Sequence, residues 1–353
     1  MLNQSNNKPK KNKHSLIERF IDYFLRDGFC AFFFFVIIVI VLTYPLPYYV
    51  FISGGITDLS SRFKIENAYK QKGSYNLSYV NQLNGNFVTY LASFVMPNWR
   101  VIDVENYQIS ETETIDEIYA RDRLALISAN QTATMLAYEK AGKEIHINDT
   151  KLYVRSAYDI INSTEKIKIG DVLVSIDDIV IDNFEQVSTI IKGKNVGDKI
   201  TFEFKRDNDL YKTDVIVQEA NGVKLVGLGF YVIYDYEVAP KIEYNFKSSE
   251  SGSSAGLMTT LAIYDSLIPE DLTHGLKIAG TGTIDSEGNV GEIGGIEYKI
   301  SGAEQGDADI FFAPSGDNYK DALKEKEKYN YKIKIIEVST LDDAIDYLKN
   351  LKS

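Results

Sequence analysis

The stretch Lys247–Lys299 constrains this chain more than any other. It begins with a run of small residues, Ser251-Gly252-Ser253-Ser254-Ala255-Gly256. Leu257, Met258, Leu261, Ala262 and Ile263 follow at spacings that keep one helical face apolar. Ser254 is therefore expected where a loop turns into a buried helix. A hydroxyl at that point is held in place, and backbone N–H groups at the helix start can face a developing oxyanion. Glycines at 252 and 256 let another backbone approach closely. Further on come Ala279-Gly280-Thr281-Gly282-Thr283 and then Gly291-Glu292-Ile293-Gly294-Gly295-Ile296-Glu297-Tyr298-Lys299.

A serine needs a base to act as a nucleophile, and Lys299 is the candidate. A lysine serves only if its pKa falls from about 10.4 towards 7–8, which loss of water around the ammonium can achieve. Ile293, Ile296 and Ile300 supply apolar neighbours, and Thr281 or Thr283 can aim the amine. Read singly, a serine in such a run is more often a helix cap, and a lysine after Gly-Gly is more often solvated.

The three segments together resemble the proteolytic domain of Lon proteases. In that family a small-residue motif ending S-A-G carries the nucleophile, a T-G turn follows, and I-G-G-[hydrophobic]-x-x-K carries the catalytic lysine. The matching residues are Ser254-Ala255-Gly256, Thr281-Gly282 and Ile293–Lys299, within a resemblance running from about Val238 to Leu351. It implies a Ser254–Lys299 dyad, with Gly252, Ser253 and Thr281 as supporting or oxyanion residues, and no metal or other cofactor. Where the family has D-G-P-S this chain has Ser251-Gly252-Ser253-Ser254, which implies a looser oxyanion loop. Where the family often has T-G-E it has Thr281-Gly282-Thr283.

Residues 1–28 carry Lys8, Lys10, Lys11, Lys13, Arg19 and Arg26, and no charge occurs from Phe29 to Ile52. That pattern predicts a membrane-spanning helix over 29–52, with Pro45 and Pro47 near its far end and Tyr44, Tyr48 and Tyr49 at the interface. A cleaved secretory signal is the competing reading, weakened by the lack of a small-residue cleavage site. The basic flank would leave residues 1–28 in the cytoplasm and the rest outside, in a single-pass protein of the cell membrane. Cys30, the one cysteine, falls inside the apolar run, so the remainder has neither disulfide nor thiol nucleophile. His14, His146 and His274 are too scattered for a zinc site.

Residues 53–110 read as short β-prone pieces (75–79, 87–94, 101–104) forming a small layer, and 111–143 as a helix packed by Ile115, Ile118, Leu126 and Tyr138. Residues 150–218 resemble a protease-associated PDZ domain. Ile167-Lys168-Ile169-Gly170-Asp171-Val172-Leu173 opens its central hairpin, and Gly197-Asp198-Lys199-Ile200 begins its closing strand. The usual segment upstream is replaced by Ile161-Asn162-Ser163-Thr164. The resemblance implies capture of an extended peptide. Gly222–Tyr236 reads as a linker into the next unit. After Lys299 helix and strand alternate: 300–305, 310–313, 319–328, 331–338 and 341–351.

The expected organisation is multidomain α+β. It comprises a basic tail (1–28), a transmembrane helix (29–52), a β layer with a helical segment (53–149), a PDZ-like β-rich domain (150–220) and a Lon-type α/β proteolytic domain (221–353). No G-x-x-x-x-G-K-[ST] loop is present in these 353 residues, so ATP-independent cleavage of peptides or unfolded segments is expected. The net charge of −12 argues against nucleic acid as a partner. Oligomerisation stays open. The main alternative is a non-catalytic scaffold that binds peptide through the PDZ-like part. A third reading pairs Ser254 with His274, oriented by Asp271 or Asp285.

Overall fold

The computed structural model describes residues 28–96, 98–110, 113–158 and 167–351, with isolated residues 17, 21, 23 and 25. Most of the expected basic tail and Ile161–Thr164 lie outside the described residues. Helix α1 covers Phe29–Thr43, 15 residues with no acidic or basic side chain. At 1.5 Å per residue it is about 22 Å long, short of the roughly 30 Å hydrocarbon core of a bilayer. The rest of the expected span is not helical. Pro45 and Pro47 follow the helix end, and strand β1 (Tyr48–Asp58) takes over from there. Tyr49 lies opposite Asn84 on one side and Ile102 on the other, and Val50 is fully buried. Among the described residues no helix is long and apolar enough to cross a membrane. The transmembrane helix over 29–52, and with it the single-pass membrane location, is therefore overturned.

After β1 come β2 (Phe63–Ile65) and the long β3 (Ser74–Asn84). Residues 87–94, expected as strand, instead form helix α2 (Phe87–Ser93). Asn86 accepts the amide of Thr89 and Thr89 accepts that of Asn86, a reciprocal cap that outweighs the β preference of Phe, Val and Tyr. Strand β4 (Arg100–Asp103) leads to the long helix α3 (Ile115–Lys140), which starts on the same kind of cap between Thr114 and Glu117.

Then follow β5 (Glu144–Ala157), β6 (Val172–Ile176), β7 (Ile179–Val180), α4 (Phe184–Gly193), β8 (Lys199–Arg206), β9 (Asp209–Ile216), β10 (Gln218–Ala220), β11 (Val223–Leu225) and β12 (Leu228–Ala239). These strands form a sheet in the order β12-β5-β6-β8-β9, with β7 beside β6. Val154, Ile176, Ile200, Phe202, Phe204 and Val215 make its core. Residues 228–236, expected within a linker, are thus half of a long antiparallel ribbon with β5. Alternating apolar residues such as Phe230 and Val232 have the strand period, and their partner lies some eighty residues earlier in the chain.

The remaining elements are β13 (Ile242–Tyr244), α5 (Gly256–Leu267), β14 (Lys277–Gly280), β15 (Thr283–Ile284), β16 (Val290–Gly291), α6 (Ile296–Gln305), β17 (Ile310–Pro314), α7 (Asp317–Tyr329), β18 (Lys334–Val338) and α8 (Leu341–Lys349). Helix α6 starts before Lys299 rather than after it, so the lysine belongs to the helix. The second large sheet has the order β18-β17-β14-β3-β1-β4. Its first four strands are parallel, and β1 and β4 close it antiparallel. Strands β1, β3 and β4 are therefore no separate layer, since they supply half of this sheet, while β2 pairs with β13.

Both sheet faces are covered, as parallel sheets require. Ile278, Ile310 and Phe312 face a core shared with α5, α8 and the Ala133–Tyr138 part of α3. Ala279, Phe311 and Ala313 face the opposite core, with Ile296, Ile300 and Ala303 of α6 and Ala322 of α7. Helices α5 and α6 thus lie on opposite sides of one sheet. Helix α6 approaches β1 very closely at Gly302, where a Cβ would come 2.9 Å from the backbone of Gly55. Backbone cannot yield as a side-chain tip can. Gly302→Ala is expected to cost about 1–3 kcal/mol of unfolding free energy, measurable by urea denaturation.

Candidate active site

Each half of the candidate pair is placed by a different helix. Every residue of α5 is buried, and most of the polar side chains that interrupt its apolar run find a partner. Thr260, for example, donates to the carbonyl of Gly256 one turn back. Ser254 sits just ahead of this helix and is half-buried. The turn is closed by Gly256 donating to the Ser253 carbonyl and by Gly282 donating to the Ser254 carbonyl. Lys299 lies in the first turn of α6, behind Gly295 with φ +71°, a left-handed conformation that favours glycine. A Cβ at Gly295 would also press on Tyr298 at 3.0 Å. Ser78 of β3 donates to the Lys299 carbonyl at 2.5 Å and ties this turn to the sheet.

The structure brings the two side chains together. Lys299 Nζ lies 2.7 Å from Ser254 Oγ and 3.0 Å from Thr281 Oγ1. Thr281, fully buried at the end of β14, donates its hydroxyl to the Ser254 carbonyl at 3.1 Å. Its own amide donates to Phe312 of β17, so the threonine is fixed by the sheet. Lys299 is only 4 % exposed. Burial alone pulls its pKa from the usual lysine value down to about 7, and no acidic group acts in the other direction. An amine at that value is available in neutral form near pH 7, where its lone pair can receive the serine proton.

The other expected residues separate. Gly252 has φ +86°, and its N–H donates to the Asp122 carbonyl at 2.9 Å, so this amide is committed elsewhere and cannot face an oxyanion. Among the described residues the amides of Ser253 and Ser254 have no hydrogen-bond partner, and they remain the candidate donors. His274 is exposed, and its Nε2 is 3.0 Å from the Leu348 carbonyl at the end of α8. Asp271 accepts from Thr273 and Lys72, and Asp285 from Asn289 and Glu287. Neither is shown beside His274, so the Ser254–His274 reading has no geometric support. Among the described residues no group of acidic, histidine or cysteine side chains could hold a metal ion.

Sequence reasoning missed Asp122 and Arg123. Both come from α3, more than a hundred residues before the loop they touch, and no local pattern signals such a contact.

Residues 248–350 match the family model of the Lon protease (S16) C-terminal proteolytic domain, a segment that includes Ser254, Thr281 and Lys299. No curated protein matches the chain. Among solved structures, the PDZ domain of an SdrC-like protein from Listeria monocytogenes is 21 % identical over 22 % of this chain and 85 % of that one, with a TM-score of 0.21. A protein from Geobacillus thermodenitrificans is 22 % identical over 20 % of this chain and 82 % of that one, with a TM-score of 0.19. The second domain of a listeria protein is 20 % identical over 25 % of this chain and 87 % of that one, with a TM-score of 0.21. The C-terminal part of the chain is thus similar to a serine protease domain, and that similarity encloses the site.

Proposed function

We propose that this chain is a serine endopeptidase in which Ser254 is the nucleophile and Lys299 the general base. The observation that carries the reading is the 2.7 Å approach of Nζ to Oγ by a lysine buried without an acidic partner. In the neutral form Nζ takes the hydroxyl proton as Oγ attacks the scissile carbonyl. The carbonyl oxygen becomes an oxyanion facing the amides of Ser253 and Ser254. The resulting ammonium, steadied by Thr281 Oγ1, returns the proton to the leaving amine as the C–N bond breaks. A water then repeats the sequence on the acyl-enzyme, with Lys299 as base, and releases Ser254.

The substrate class we infer is peptide or unfolded protein, cleaved without ATP. The PDZ-like unit fits this reading through β12, one of the two edge strands in the order β12-β5-β6-β8-β9 among the described residues, which can accept an extended peptide as an added strand. At Tyr234 the side chain of Gln131 already pairs with both the N–H and the C=O of the strand. A peptide would therefore lie towards the Phe230 end, where Phe184 of α4 packs on Phe230.

The test is digestion of unfolded casein by the full chain, without nucleotide, followed by mass spectrometry of the products. Wild type is expected to cleave and Ser254→Ala is not. A protein that binds peptide on β12 while neither form cleaves would be the scaffold instead. Thr281→Val removes the hydroxyl that accepts from Lys299 and holds the Ser254 carbonyl. We expect about a tenfold loss in kcat/KM. The acidic midpoint of the pH profile should move below about 7, since the ammonium loses an acceptor. Thr281→Ser should restore both.

A further inference from the structure

Ser254 ends a loop, residues 247–254, that is held largely from outside itself. Arg123, near the start of α3, donates from Nη1 to the carbonyls of Lys247 and Glu250, at 3.2 Å each. Its neighbour Asp122 accepts the amide of Gly252 through its own carbonyl. Within the loop, Glu250 accepts the amide of Lys247 on its carboxylate and donates its amide to the Lys247 carbonyl, and its carboxylate also pairs with Arg62. The start of α3 is itself fixed. Buried Arg121 binds Glu113 through both carboxylate oxygens and donates to the Tyr107 carbonyl, while the Tyr107 hydroxyl donates to Asp122.

Gly252, with its positive φ, lies between the anchored residue Glu250 and the serine. Past it, Ser253 and Ser254 keep the two unpartnered amides. Donors for an oxyanion work only if they are held in place before the charge forms. A displacement of about 1 Å is enough to cost a hundredfold in rate. Arg62 acts on the loop through the Glu250 side chain. Arg123 acts on its backbone, at the two carbonyls on either side of the Ser248–Ser249 turn.

We propose that Arg123 is a positioning residue for catalysis, tying the backbone of the Ser254 loop to α3 so that Oγ and the amides of Ser253 and Ser254 keep their places. It touches neither substrate nor reacting atoms. The proposal rests on the reading of Ser254 as the nucleophile.

The experiment follows covalent labelling of the full-length protein by a fluorescent fluorophosphonate, in which the Oγ–P bond forms, fluoride leaves and Lys299 takes the proton. Arg123→Ala is expected to lower the maximal labelling rate by about ten- to a hundredfold. The concentration giving half that rate, the thermal midpoint and the pH midpoint near 7 should stay as in wild type. Arg123→Lys, which keeps a cationic donor, should recover most of the rate. An unchanged rate in Arg123→Ala, a loss that Lys does not recover, or a loss that tracks a fall in thermal midpoint would each overturn the assignment. If wild type labels no better than Ser254→Ala, the nucleophile reading itself fails and takes this one with it.

Discussion

Lys299→Met is expected to lower kcat/KM for casein-derived peptides by about 10⁴-fold or more, with little change in KM. The reason is that the serine hydroxyl has no other base. His274 is engaged at Leu348, and among the described residues the only hydrogen-bond partner of Ser254 Oγ is Lys299. Without a base the hydroxyl is a weak nucleophile, and no group is left to return a proton to the leaving amine. Members of one catalytic unit are strongly non-additive, so Ser254→Ala combined with Lys299→Met should be no worse than Ser254→Ala alone. Lys299→Arg tests the charge state. A guanidinium stays protonated at any working pH, so it should be as inactive as Met although it keeps a cation in the site. If Lys299→Met retained a tenth of the activity, another base would have to be found and the dyad reading abandoned.

What could be read along the chain was whatever a local pattern encodes. Ser254 ahead of a buried helix, and Lys299 behind Gly294-Gly295, both depend on neighbours within a few positions, and the structure brings these two side chains to 2.7 Å. Helix α3 was visible for the same reason, through its apolar spacing, whereas the Thr114–Glu117 cap that starts it is an observation of the structure. The pairings across sequence distance were not visible. Tyr75 lies beside Ile278, about two hundred positions on, and nothing near either residue announces that neighbour. Tyr48–Ile52 illustrates the ambiguity in another way. A strand between two others and an apolar helix both read as uncharged runs, so the segment joined the preceding Phe-rich stretch into one apparent span. The committed amide of Gly252 was hidden for the first reason, because its partner carbonyl belongs to Asp122 on a distant helix.

The same lysine should weaken the fold, and by an amount that depends on pH. Its folded pKa is about 7 against an ordinary 10.5, so the unfolded chain binds its proton more tightly. Below pH 7 both states are protonated, and the native state bears the full cost of a buried ammonium, which for a shift of this size is roughly 5 kcal/mol. Between 7 and 10.5 the folded lysine is neutral while the unfolded one still holds its proton. Wild-type stability should therefore climb relative to Lys299→Met by about 1.4 kcal/mol per pH unit in that window. Below pH 7 Lys299→Met should be the more stable protein, and the gap should narrow as pH rises. Asp265 is a second buried titrating group, its carboxyl pushed up to about 7 chiefly by burial. Its contribution has the opposite direction, falling as pH rises from about 3.8 to 7. It is present in both proteins, so it cancels from the difference. Urea denaturation of both proteins from pH 6 to 9 measures the effect. A gap that does not change with pH would mean that Lys299 is an ordinary ammonium in the folded state, and such a group could not take the proton of Ser254.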